Sequence, residues 1–160
     1  MSKEHLVTYL NDHLAGSHIA VEILQHLEAE ASDLIPDLSA LKSDIEADRD
    51  QLRTLMDRLH IPESRVRKVT SWIAEQVTEA KFEADDETQG TLRRLERLEA
   101  LAVGIDGKSA LWRALNAAAE GAPELRGMDY EHLTERAQKQ RNRVEILRLQ
   151  AARLALAPLP

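Results

Sequence analysis

Two long stretches of this chain repeat residues at alternating steps of four and three, which confines both to helices that share a core. A residue at each of these steps returns to one side of an α-helix, so each set predicts a buried stripe. Both stripes consist of apolar residues except partway along each helix, where one or two positions are polar. The first stripe is Leu6, Leu10, His13, Ser17, Ala20, Leu24, Leu27, Ala31 and Leu34, and the second is Leu38, Leu41, Ile45, Asp48, Leu52, Leu55 and Leu59.

The composition limits the class of protein. A chain of 160 residues is most simply a single domain covering 1–160, and it is long enough to bury a core without disulfides. It has no cysteine, which excludes thiolate metal ligands and fits a cytoplasmic location. No long apolar run predicts a membrane span, and the net charge of −7 argues against a nucleic-acid partner.

The first two helices are predicted to form an antiparallel hairpin. The first runs from Ser2 or Lys3 to near Ser32 and is ended by Pro36, because a residue before proline avoids the helical region. Asp37 or Ser39 then caps a second helix that continues to about His60. The short connection makes the two helices neighbours.

The rest of the chain predicts two more main helices. Residues 63–90 form a crossover segment with a short helix, ending in a polar loop or frayed helix end. The next helix covers 91–103, is interrupted between Gly104 and Gly107, and resumes over 109–119. The last begins at Asp129, and 155–160 is a frayed tail. The predicted buried stripe of this last helix is Tyr130, Leu133, Ala137, Gln140, Val144, Leu147, Ala151 and Leu154. The fold class is therefore all-α: a four-helix bundle with one or two additional short helices.

Asp48 is the most informative polar residue, because a buried carboxylate needs a partner to offset its lost hydration. If the hairpin turns near Ile35, Glu22 lies level with Asp48 on the facing helix. The adjacent Glu46 and Arg49 then complete a polar cluster on this hairpin.

This arrangement resembles the ferritin-like superfamily, in which a glutamate on one helix meets Glu-x-x-His on the next and the cage holds two iron or manganese ions. Here Glu22 matches the first glutamate, while 46–49 and 145–148 match Glu-x-x-His with arginine in place of histidine. The resemblance implies Glu96 or Glu99 as the remaining ligand. Arginine cannot ligate a metal, so a metal-binding variant needs a histidine such as His13 or His18.

Two further stretches, 9–17 and 104–112, are similar to small bacterial proteins described only as ferritin-like or of unknown function. Some of those proteins are fused to a ThiJ/PfpI-type domain. The similarity implies a ferritin-like bundle and no particular activity.

Three hypotheses for the function follow. The first is a non-enzymatic interaction or structural protein without a cofactor, whose glutamates pair with arginines in a buried polar cluster of Glu22, Asp48, Arg49 and Arg148. The second is a di-iron or di-manganese protein with oxidase, peroxide-scavenging or iron-handling activity, whose metal ligands come from Glu22, Glu46, Glu99, Glu145, His13 and His18. The third is an adaptor that binds an anionic partner on the basic side of the last helix, at Arg136, Lys139, Arg141, Arg143 and Arg148.

Simpler interpretations stand beside these hypotheses. Glu-x-x-Arg is also a common surface ion pair, and His18, Glu22 and His26 can form an exposed polar face. Residues 1–90 carry a net charge of −10 and 91–160 of +3, which predicts acidic early helices beside basic late ones. A second apolar stripe of Val7, Leu14 and Val21 on the first helix predicts an exposed face that pairs two copies in a homodimer.

Overall fold

Four long helices make up the described part of the chain. The computed structural model describes residues 3–64 and 87–157. Helix α1 is Lys3–Glu30, α2 is Ile35–Arg58, α3 is Glu87–Ala118 and α4 is Tyr130–Leu156. Short 3₁₀ turns at Ser32–Leu34 and Pro123–Leu125 join α1 to α2 and α3 to α4. These residues contain no strand, so the all-α prediction is confirmed for them. Most of the predicted crossover segment, at 65–86, and the last residues of the tail, at 158–160, lie outside the described residues.

The turn between α1 and α2 differs from the prediction in the position of Pro36. Pro36 lies in the first turn of α2 and not in a loop before it. Proline is tolerated there because the first amides of a helix have no intrahelical partner. Leu34 occupies the N-cap position without a side-chain hydrogen bond, so the predicted caps Asp37 and Ser39 are wrong. The Ser39 hydroxyl instead donates to Glu28 of α1, at 2.7 Å, and ties the hairpin together.

Helix α3 is continuous through the glycines that were expected to interrupt it. It extends without a break from Glu87 to Ala118 and includes both Gly104 and Gly107. Isolated glycines weaken a helix by about 1 kcal/mol each but do not end it when tertiary packing supports the flanking turns. The buried residues Trp112 and Leu115, each at most 2% exposed, supply such packing.

Helix α4 begins where the sequence predicts. Asp129 is the N-cap, and its carboxylate accepts a hydrogen bond from the backbone N–H of His132 at 3.0 Å. The predicted stripe of α4 is buried from Tyr130 to Ala151, while Leu154 is 64% exposed. The predicted frayed tail begins too early, since α4 continues to Leu156.

A polar layer divides the core into two apolar clusters. Ile45 on α2 and Ile105 on α3 belong to the cluster near the α1–α2 turn. Leu52 and Leu111, about two turns further along the same helices, belong to the cluster at the other end. The residues between them are polar, and they position the candidate site.

The proposed basis for a dimer on α1 is wrong. Leu14 is 3% exposed and Val21 is 6% exposed, so this second apolar stripe packs inside the chain and leaves no open face there. None of the described helices combines the length and apolarity that crossing a bilayer would require.

The glycines of α3 and of the α3–α4 loop lead to opposite predictions. Added carbon at Gly104 meets no atom within 4 Å. Gly104→Ala is therefore expected to raise the free energy of unfolding by about 1 kcal/mol, because alanine favours the helix. Gly127 has φ +96°, and its Cβ would lie 3.1 Å from Nη1 of Arg58. Gly127→Ala should lower the same free energy by at least about 1 kcal/mol. Urea denaturation of both variants measures the difference, and equal effects would contradict the prediction.

Candidate functional site

The centre of the polar layer is Asp48, which is 1% exposed and held by groups from two other helices. Its Oδ2 accepts hydrogen bonds from the Lys108 ammonium at 2.6 Å and from the Gln140 amide at 2.8 Å. Lys108 also donates to the side-chain oxygen of Gln140. Nη2 of Arg136 lies 3.1 Å from Oδ1 of Asp48. We call these four residues the Asp48 cluster, and they connect α2, α3 and α4.

The charges in the Asp48 cluster do not balance within it. One carboxylate faces two cationic side chains, of which Lys108 is 13% exposed and Arg136 is 28% exposed. Burial lowers the pKa of Lys108, although the adjacent Asp48 carboxylate opposes this shift. Desolvation disfavours the charged ammonium, and the attraction of Asp48 favours it.

The structure separates the residues of the predicted buried cluster. Asp48 is buried as predicted, but Glu22 is exposed and does not contact it. Arg49 turns toward α1, where its Nη1 lies 3.5 Å from Nδ1 of His18. The prediction that Glu22, Asp48 and Arg49 form one buried polar cluster is therefore wrong. The hairpin register is close to the expected one, but the α1 side chains at this level point elsewhere.

Arg148 lies in a different group on the outer side of α3 and α4. Its guanidinium holds both carboxylate oxygens of Glu145, at 2.7 and 2.8 Å, and also reaches Glu99 at 3.3 Å. Arg141 donates to Glu145 as well. Hydrogen bonds from Arg148 and then Arg141 lower the pKa of Glu145 to about 2. The prediction that arginine pairs with glutamate is confirmed for Arg148, whereas Arg49 has no glutamate partner among the described residues and Arg148 is not buried with Asp48.

The remaining candidate metal ligands do not gather around one point. Glu46 is half-buried on α2, while His18 is exposed on α1. His13 is half-buried with its ring 4.7 Å from the ring of Tyr9, and burial lowers its pKa. Across residues 3–64 and 87–157, no three histidine, aspartate or glutamate side chains are grouped so that they could hold a metal ion.

The basic side chains of α4 mostly bind acidic groups of this chain. Arg143 contacts Asp44 at 2.6 Å, and Arg141 contacts Asp106 at 3.2 Å. Arg136 and Arg148 take part in the groups described above, so of the five basic residues singled out on α4 only Lys139 shows no such pair among the described residues. The prediction that acidic early helices lie beside basic late ones is confirmed for α2 and α4.

A cavity of about 220 Å³ lies beside the Asp48 cluster, between α1, α2 and α3. Asp48, Arg49 and Lys108 line one part of it, and His13 and Ser17 line the α1 side. The polar residues of the first two stripes therefore meet around this cavity. Most of the remaining wall is apolar or glycine, from Gly16, Ala20, Leu52, Gly104, Ile105 and Trp112 among others.

Sequence reasoning missed Lys108 and underestimated Arg136. Lys108 directly follows the predicted interruption between Gly104 and Gly107, so the sequence predicts no buried side of a helix at this position. In a continuous helix these residues lie at steps of three on the buried side, which is the signal that could have found Lys108. Arg136 precedes the buried Ala137 by one residue and gave no comparable signal.

Comparison of this chain with protein-family models, curated proteins and solved structures finds no match in any of the three. The geometry of the Asp48 cluster and of the cavity is therefore the basis for the functional interpretation.

The Asp48 cluster makes a prediction about stability. Asp48→Asn removes the only negative charge of the cluster, so Lys108 and Arg136 remain partly buried beside a neutral amide. The free energy of unfolding should fall by about 3 kcal/mol. Adding Lys108→Met to Asp48→Asn should recover part of this loss, because the unpaired ammonium is removed.

Asp44→Asn is the control, since Asp44 is 47% exposed and paired with Arg143 at the surface. It should cost less than about 1 kcal/mol. Urea denaturation of these three variants and of Lys108→Met alone gives the values. Strictly additive effects of the two substitutions in the double variant would contradict the coupling.

Proposed function

We propose that this protein is a ferritin-like helical bundle without a working di-metal centre, and that it acts as a non-enzymatic interaction or structural protein. The observation that carries the proposal is the pairing of Asp48 with the ammonium of Lys108 and the guanidinium of Arg136. Cationic side chains lie against both carboxylate oxygens that a metal ion would need, and they supply positive charge to the bundle interior from the protein itself.

The outer group of Arg148, Glu145 and Glu99 supports the same proposal. Both oxygens of Glu145 accept hydrogen bonds from Arg148, and this pairing keeps the carboxylate ionised far below neutral pH. A metal ion at Glu145 would have to displace a bidentate arginine that cannot give up its proton. The arginine at the position of the ferritin-like histidine therefore replaces a ligand with a competing cation.

Elemental analysis tests the absence of a metal centre. The purified protein is incubated anaerobically with iron(II) and manganese(II), and excess metal is then removed. We expect only background metal, because the carboxylates are already paired with cations. About two ions per chain would contradict the proposal and favour the di-metal alternative. In that case Glu22→Ala should abolish uptake, since Glu22 is the ligand which that alternative requires on α1.

Self-association is the form of interaction that we propose first, in a homodimer. Four large apolar side chains of α4 are exposed in this chain: Ile146, Leu149, Leu154 and Leu156, which are between 42% and 66% exposed. Ile146, Leu149 and Leu156 fall on one side of the helix, and Leu92 on α3 is also 43% exposed. Covering these side chains with a second copy would remove apolar surface from water.

Light scattering tests this form of interaction. The mass should be about twice 18.0 kDa for the unmodified chain. Leu149→Glu should return it to the monomer value, because a charge would be buried in the interface. Ala40→Glu, on the exposed side of α2, adds the same charge elsewhere and should leave the dimer intact. A monomeric mass for the unmodified chain would refute the dimer without affecting the metal-free core.

A further inference from the structure

Small residues leave the cavity between α1, α2 and α3 unfilled. Three glycines line it: Gly16 on α1, and Gly104 and Gly107 on α3. A Cβ atom at any of them would meet no atom within 4 Å. Among residues 3–64 and 87–157, no helix-to-helix contact therefore requires glycine there, although glycine is less favourable than alanine within a helix. The presence of glycine at these positions is explained if another molecule occupies the cavity.

Two hydrogen-bond donors on the wall of this cavity have no partner among the described residues. The indole Nε1 of Trp112 is buried and makes no hydrogen bond, and Trp112 is 1% exposed. Nε of Arg49 is also buried without a hydrogen bond. A buried donor without a partner costs about 1–3 kcal/mol, so both groups would gain from an acceptor in the cavity.

The charge around the cavity favours an anion. Asp48 is already matched by both Lys108 and Arg136, which leaves the Asp48 cluster with one excess positive charge. Arg49 adds another, and within the described residues it has no carboxylate partner. Its polar neighbour is His18, and an imidazole carries no negative charge that could neutralise the guanidinium. Asp12 on α1 also lines the cavity and offsets part of this charge, so we expect an anion at Arg49 and away from Asp12.

The size and the apolar wall define the rest of the ligand. A cavity of about 150 Å³ accommodates benzene, so one of about 220 Å³ holds a body of about nine non-hydrogen atoms. Ile45, Leu52 and Ile105 give it an apolar surface, and the indole face of Trp112 can pack against a ring. A molecule with several charged groups would leave some of them against this apolar surface.

We propose that this cavity binds a small apolar monocarboxylate, with its carboxylate at Arg49 and its apolar body among Ile45, Leu52 and Trp112. The guanidinium supplies charge-assisted hydrogen bonds to the carboxylate, and an oxygen of the same group accepts from the indole N–H. The site lies between α1, α2 and α3, apart from the exposed apolar side chains of α4. It does not depend on whether the protein forms a dimer.

Calorimetry with benzoate, phenylacetate and hexanoate tests the proposal, with benzamide as the uncharged analogue of benzoate. We expect at least one of the three acids to bind with a Kd of about 1 mM or tighter, and benzamide to bind at least about tenfold more weakly than benzoate. In ¹⁵N–¹H spectra the indole N–H signal of Trp112 should shift when the acid binds, because it gains an acceptor.

Two variants separate the charge from the space. Arg49→Met should weaken binding of the acid at least about tenfold, equal to about 1.4 kcal/mol, and leave benzamide unchanged. Arg141→Met removes the same charge on α4, away from the cavity, and should have no effect. Gly107→Met should fill the cavity and abolish binding of both ligands, while the folded helix is retained in circular dichroism. Ala110→Met, at an exposed position of α3, is its control.

Several outcomes would overturn the proposal. One is the lack of binding by all three acids up to about 10 mM. Others are benzamide binding as tightly as benzoate, or acid binding that neither Arg49→Met nor Gly107→Met weakens. Because Gly107→Met removes no polar partner, loss of binding in a well-folded Gly107→Met protein cannot be attributed to a disrupted ionic core.

Discussion

The burial of Asp48 is the constraint on which the rest of the structure depends. A carboxylate 1% exposed in a bundle core requires compensation from every helix that can reach it. Lys108 and Gln140 supply it through hydrogen bonds, and Arg136 through an ion pair. These contacts fix the level at which α2, α3 and α4 meet, because a shift of one turn would place Asp48 against apolar side chains. A polar layer of this kind lowers the free energy of unfolding relative to an apolar core, but it specifies one arrangement of the helices.

The polar layer also explains why the core is divided. Apolar clusters lie on either side of it, one near the α1–α2 turn and one near the α3–α4 turn. The level of α1 opposite the layer presents Gly16 and Ser17, which are too small to fill the space in front of Asp48 and Lys108. The cavity therefore lies where the polar side chains of α2 and α3 face the small residues Gly16 and Ser17 of α1. The proposed metal-free core and the proposed carboxylate site both derive from this one layer.

Particular residues show how far the sequence could predict the site. The periodic stripes placed Asp48 and Gln140 in the core, and both are buried as predicted. The partners of Asp48 were predicted within its own hairpin, at Glu22 and Arg49, because sequence reasoning reaches only the helices whose relative register a short turn fixes. Lys108 and Arg136 come from helices separated from α2 by long stretches of chain, and no turn geometry relates their levels. Gly104 and Gly107 predict an interruption of α3, because local helix propensity does not include the packing of Trp112 and Leu115 that supports the helix there.

The sequence by itself determined the helical period, the positions of α1, α2 and α4 to within a few residues, the N-cap at Asp129 and the need of Asp48 for a partner, because each depends on neighbours in the chain. Only the tertiary structure decided which cations neutralise Asp48, that Glu22 remains exposed, that the second stripe of α1 is buried, and that a cavity lies beside Arg49. Those outcomes depend on the rotation and level of helices that are distant in sequence. Burial, charge pairing and packing across all four helices together determine the rotation and level of each helix.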